Sequence, residues 1–140
     1  MVRISNLDLL ELLMQNSRMS FVKLARILNV SETAIRKRMR KLEQEGVIRK
    51  YTVDVDPRKI GYEINALIGI DTKPEHYIQI LDKLNSNKDV ISLYSSSGDH
   101  MIMLNCWFKN SKELMKFTKD LGKKEGVTKI CPAIILEKIK

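Results

Sequence analysis

Five basic side chains, Arg36, Lys37, Arg38, Arg40 and Lys41, fall between residues 31 and 45, and the acids of that stretch (Glu32, Glu43, Glu45) stand near its two ends. A helix that is merely solvated mixes signs along its length. One that keeps a positive face suits a polyanion, and duplex DNA is the polyanion whose major groove admits a helix. At roughly 100° per residue, Ile35, Met39 and Leu42 share one stripe, Thr33, Lys37 and Arg40 lie opposite, and Arg36 and Lys41 flank them. Ser31 is placed to cap the helix, with Glu32 in its first turn and Gly46 beyond its end.

A shorter helix must precede it. Phe21, Leu24, Ala25 and Leu28 recur at spacings of three and four, Ser20 can cap them, and Asn29-Val30 leaves only a short turn. Two packed helices with a basic outer face fit the helix-turn-helix, whose second helix enters the major groove. Upstream, Ser5 or Asn6 opens a helix bearing Leu9, Leu10, Leu12 and Leu13, which ends near Asn16-Ser17. The expected core of this three-helix, winged domain joins those leucines to Leu24, Ile27, Leu28, Ile35, Met39 and Leu42.

Ser31, Thr33, Arg36, Lys37 and Arg40 are the candidates for base edges, with Arg36 or Arg40 suited to guanine. Arg38 and Lys41 lie nearer the margin and suit phosphate, and Glu32, which suits the helix start, completes the set of DNA-binding candidates. Charge placement agrees. Residues 1–50 hold 11 Lys+Arg and 5 Asp+Glu, net +6, whereas residues 51–140 hold 14 and 12, net +2. A basic third beside a nearly neutral remainder reads as a nucleic-acid module joined to something else.

From Val47 to Val55 an extended segment or wing is expected, broken by Asp56-Pro57 and a turn through Gly61. The boundaries follow as a DNA-binding domain at 1–50, a connector at 51–62 and a second domain at 63–140. In the second domain Ile64, Ala66, Ile68 and Ile70 alternate as a strand does. Tyr77, Ile80, Leu81 and Leu84 have helical spacing, as do Leu114, Phe117, Thr118 and Leu121. Strands are expected at Val90–Ser96, His100–Phe108 and Val127–Glu137, with a turn at Ser97-Gly98-Asp99. The order βαββαβ is ferredoxin-like, so the fold class is α+β. Pro132 places the last strand at an edge. The third strand is apolar on both faces, and helices cover only one, so a homodimer through the other face is expected.

Composition excludes several classes. The 140 residues are 44% hydrophobic and 30% charged, as in a globular protein. No run approaches the ~18 apolar residues of a membrane span, and no cleavable leader is legible, so a cytoplasmic protein without membrane contact is expected. Cys106 and Cys131 have no metal-ligand spacing and read as buried free thiols. His76 and His100 are isolated. No metal, cofactor or nucleophile–base pair is expected, and therefore no enzyme.

The basic helix-turn-helix, the connector and the βαββαβ domain together resemble the Lrp/AsnC (leucine-responsive, feast/famine) regulators. The likeness rests on Arg18, Leu24-Ala25, the run from Val30 to Met39, the run from Leu42 to Ile48, Asp56-Pro57 and Gly61-Tyr62. It implies a sequence-specific transcriptional regulator that forms dimers, often octamers, and senses an amino acid at subunit interfaces. The implied effector loop is Ser96, Ser97, Gly98, Asp99, His100 and Met101. Asp99 could pair with an amino group of the effector. Many members carry an acid where Met101 stands, which leaves the effector's identity open, and Asn6 replaces a usual Asp that also caps. Two alternatives share these features: an architectural DNA-binding protein with no effector, and an enzyme resembling the haem-biosynthesis decarboxylases on the same fold.

Overall fold

A computed structural model of the chain describes residues 4–140. They divide into two compact units, with the break between Asp54 and Val55.

In the first unit, α1 (Asn6–Gln15), α2 (Phe21–Leu28) and α3 (Glu32–Gln44) each begin at a serine whose hydroxyl accepts a backbone N–H. The donors are Asp8 to Ser5, Lys23 to Ser20 and Ala34 to Ser31. Each bond satisfies one of the unpaired amides of a helix start, an effect of about 1 kcal/mol. The three helices bury Leu9, Leu24, Ala25, Ile35, Met39 and Leu42. Ile27 departs from expectation. It is 50% exposed, because it lies roughly 110° from the centre of the stripe set by Leu24, Ala25 and Leu28. Leu10, Leu12, Leu13 and Leu28 are half-buried at the margin of the core.

Residues 47–56 carry no regular strand. Tyr51 fastens the start of this stretch by donating its hydroxyl to the Glu43 carboxylate at 2.5 Å. That bond, with partial burial and the Glu43 charge, pushes the Tyr51 pKa up to about 12.

The second unit opens with a 3₁₀ turn, Pro57–Ile60, closed by Gly61 at φ 99°. Its elements are β1 (Ile64–Thr72), α4 (Tyr77–Asn85), β2 (Val90–Ser95), β3 (Ile102–Phe108), α5 (Ser111–Gly122) and β4 (Val127–Ile134). The sheet is antiparallel with order β2-β3-β1-β4, so β4 and its Pro132 lie at an edge. Ala66, Ile68 and Ile70 of β1 face the helices, with Ile102, Leu104, Cys106 and Phe108 of β3. Ile80 and Leu84 of α4 and Leu114 and Leu121 of α5 close that layer.

The structure departs from the sequence expectations at three points. β3 begins at Ile102 because His100 and Met101 are drawn into the preceding loop, and β4 ends at Ile134 rather than Glu137. Cys131 is only half-buried, since its β4 position opposite Gly69 puts it on the face away from the helices. Cys106 is buried, and loss of solvation, with the Asp89 charge, pushes its thiol up to about 12, so it is held neutral.

Candidate functional site

The first candidate site is the outward face of α3. Asn29 takes a left-handed conformation (φ 54°) between α2 and α3, and its N–H returns to the last carbonyls of α2. That reversal packs Ile35, Met39 and Leu42 inward. What remains outward is Ser31, Glu32, Thr33, Arg36, Lys37, Arg40 and Lys41, with Arg38 half-buried at the edge.

These side chains are not equivalent. The Ser31 hydroxyl is occupied in capping the helix. Arg36 is held from two sides: its Nη2 donates to Glu32 Oε1 at 2.9 Å, and its guanidinium lies 5.1 Å from the centre of the Phe21 ring. Lys41 sits 3.8 Å from Glu45. Lys37 and Arg40 carry no ion pair among the described residues, so no protein partner must be surrendered before they meet an anion. Arg40 is thus the less encumbered of the two arginines, and Glu32 serves as a holder for Arg36.

The second candidate site is the loop from Ser96 to Met101, between β2 and β3. Ser96 closes it, its N–H donating to the Met101 carbonyl at 2.9 Å and its hydroxyl to the His100 carbonyl at 2.6 Å. Gly98 reverses the chain at φ 119°, where a side chain is strained. Ser97, Gly98 and Asp99 are exposed at the tip.

Asp71, at the end of β1, anchors the base of this loop. Its Oδ1 accepts the Met101 N–H and its Oδ2 bonds His100 Nδ1, each at 3.0 Å. The His100 bond chiefly holds the Asp71 carboxyl below its usual range. Partial burial opposes this, and the Met101 N–H and the charges of His100 and Lys129 assist. His100 itself lies on Gly69: a Cβ there would come within 2.2 Å of its ring. Tyr77 at the start of α4 bonds Ser95 at 2.6 Å. Spacing marks Tyr77 only as part of a helical stripe and does not mark Gly69 or Asp71 as site residues, although a glycine within a strand is itself a sign of close approach.

Residues 3–49 match the family model of the winged helix-turn-helix DNA-binding domain, and residues 65–140 match the Lrp/AsnC ligand binding domain. The chain belongs to the Lrp/AsnC family. The HTH-type transcriptional regulator LrpA of Pyrococcus abyssi is 44% identical over 133 residues, covering 94% of this chain and 94% of that protein. The structure of E. coli AsnC superposes with a TM-score of 0.81 at 29% identity, over 99% of this chain and 95% of that one. A transcriptional regulator of Neisseria meningitidis, NMB0573, solved as a complex with L-Met, has the same fold (TM-score 0.86, 21% identity, 99% and 93% covered). This Lrp/AsnC chain is therefore a helix-turn-helix DNA-binding transcriptional regulator with a C-terminal ligand-binding domain, and not an enzyme. Among the described residues no helix is long and apolar enough to cross a membrane.

Proposed function

We propose that two copies of the chain present two α3 helices to successive major grooves of one operator, and that an amino acid bound at the Ser96–Met101 loop biases the assembly. The observation that carries the DNA half is the pairing pattern on α3. Lys37 and Arg40 project outward without ion-pair partners among the described residues, while Arg36 is preset by Glu32 and Phe21. Arg40 reads a base edge, most suitably guanine, and Lys37, Arg38 and Lys41 hold phosphate. Such a regulator works in the cytoplasm, beside the chromosome.

The dimer is supported by the sheet face that α4 and α5 leave uncovered. Register places Leu67 of β1, Tyr94 of β2, Met103 and Trp107 of β3 and Ala133 of β4 on that side. Leu67 is 43% exposed and Tyr94 59%. Apolar side chains gathered on one sheet face fit a self-complementary contact. An octamer would be built from such dimers.

The effector reading is supported by the loop's construction. Asp71 is committed to His100 and Met101, leaving Asp99 as the exposed carboxylate for an α-amino group, and the Gly98 backbone allows a ligand to approach closely. The L-Met complex of the Neisseria regulator favours the same chemical class. A thermal-shift series with each amino acid tests it, because a ligand bound only by the folded form raises the melting temperature. A rise with one or a few amino acids, abolished by Asp99→Ala, is expected. No rise with any of them favours an architectural DNA-binding protein without effector.

A further inference from the structure

The basic charge of the second unit is concentrated on one helix. Residues 109–124 hold six lysines and two acids, whereas the rest of 51–140 holds eight Lys+Arg and ten Asp+Glu. Four of the six, Lys112, Lys116, Lys119 and Lys123, recur at four-, three- and four-residue spacing on and just past α5. At about 100° per residue they fall within roughly 60° of arc. The buried residues Leu114 and Leu121 mark the opposite side, so the stripe points straight away from the core, and all four lysines are exposed. None has an ion-pair partner among the described residues. Glu113 is turned toward the helix start, where its carboxylate accepts the Lys109 N–H at 2.9 Å.

Ordinary solvation does not account for this pattern. On α4, which covers the same sheet face, the exposed positions include Ile78, Gln79, Asp82, Lys83 and Asn85 and so mix apolar, neutral, negative and positive. The helix dipole favours Lys119 and Lys123 near the C-terminus but disfavours Lys112 in the first turn, so local helix electrostatics do not produce the row either. The stripe spans roughly 16 Å at ~1.5 Å per residue. Over that length one strand of a duplex presents about five phosphates, one per ~3.4 Å of axis. Four unpaired ammonium groups in a row complement that spacing and carry no base-reading geometry, since a lysine acts as a point charge.

We propose that the lysine face of α5 is a second DNA-binding surface, which engages the phosphates of duplex DNA without sequence preference and adds to the contacts of α3. This rests on the chain's DNA binding but not on how α3 reads its site.

The test is a salt titration of binding to a random-sequence 60-base-pair duplex, using the full chain. The variants are the quadruple Lys112→Gln/Lys116→Gln/Lys119→Gln/Lys123→Gln, its all-arginine counterpart, and a charge-matched control, Lys59→Gln/Lys73→Gln/Lys83→Gln/Lys140→Gln. A Lys37→Gln/Arg40→Gln variant reports on α3 separately. Each lost phosphate contact reduces the slope of log K against log salt by about 0.9. The proposal expects the α5 glutamine variant to lose about 2–4 from that slope, the arginine variant to keep it, and the control to lose less than 1. An unchanged slope in the α5 variant overturns the proposal, and so does an equal loss in the control, which would show that only net charge matters. If the α3 variant alone keeps its slope, the α3 reading fails while the α5 proposal stands. Glutamine preserves helix propensity at exposed sites, and the half-substituted Lys112→Gln/Lys119→Gln variant, expected to lose about half as much slope, covers any folding defect of the quadruple.

Discussion

His100 rests on the backbone of Gly69, with no room for even a methyl group between them: a Cβ at residue 69 would lie 2.2 Å from Cδ2 and 2.5 Å from Cγ of the imidazole. The ring is fixed from its other side by Asp71, so it cannot simply swing away. Gly69→Ala should therefore destabilise the second unit by about 1–3 kcal/mol, the usual cost of overpacking. Denaturant unfolding measures this. The double variant Gly69→Ala/His100→Ala should cost less than the sum of the two singles, because removing the ring makes the room that alanine needs.

Asp71 ties the Ser96–Met101 loop to β1 through two hydrogen bonds. Asp71→Asn should lower stability by about 1.5–3 kcal/mol, the range for bonds to a charged acceptor, and weaken any amino-acid response. Its pH dependence has a defined sign. The folded carboxyl has a lowered pKa, so its contribution is fully present above the ordinary carboxylate range and is lost as pH falls through the lowered value. The gap between wild type and Asp71→Asn should thus persist on acidification to about pH 5 and close only at more acid pH, as followed by thermal melts. A gap that stays open after the carboxyl has been protonated would contradict the assignment.

Much of this molecule was legible in residue spacing. The serines at 5, 20 and 31, the inward stripe Ile35–Met39–Leu42 and the alternation in β1 and β3 are local signals, and local chemistry decides them. Pro132 likewise announced an edge. What was not legible is long-range. That Asp71 reaches His100, 29 residues away, depends on strand register, which no window of sequence contains. Ile27 looked like core because it is apolar, and only its angle on α2 excludes it. Arg36 and Arg40 were indistinguishable by type, and the Phe21 ring that separates them comes from the neighbouring helix.

That separation can be tested on DNA. Arg40→Ala should weaken binding to a selected operator by about 1–3 kcal/mol and bind random DNA with a smaller loss, as expected for a base contact. Glu32→Gln should release Arg36 from its ion pair and change affinity modestly while shifting sequence preference, as read by selection from a random duplex library.

Ser31→Ala should destabilise the first unit by about 1 kcal/mol through loss of the α3 cap. Because the same change frays the start of α3, operator binding should fall with stability. Hydrogen exchange at the amides of residues 33–35 would show the fraying directly.

The proposed dimer makes a separate demand. Leu67→Lys with Tyr94→Lys places four charges across a symmetric contact and should give a monomer by analytical ultracentrifugation, with helical content retained. A variant that sediments as the wild type does would place the dimer contact elsewhere.

Hydroxyl-radical footprinting of the full chain on a selected operator measures most directly whether two α3 helices read one duplex. Two protected segments related by a dyad, with centres a whole number of helical turns apart (~10–10.5 base pairs each), and both lost in Lys37→Ala/Arg40→Ala, are the predicted result. One isolated segment, or protection that survives that variant unchanged, would contradict it.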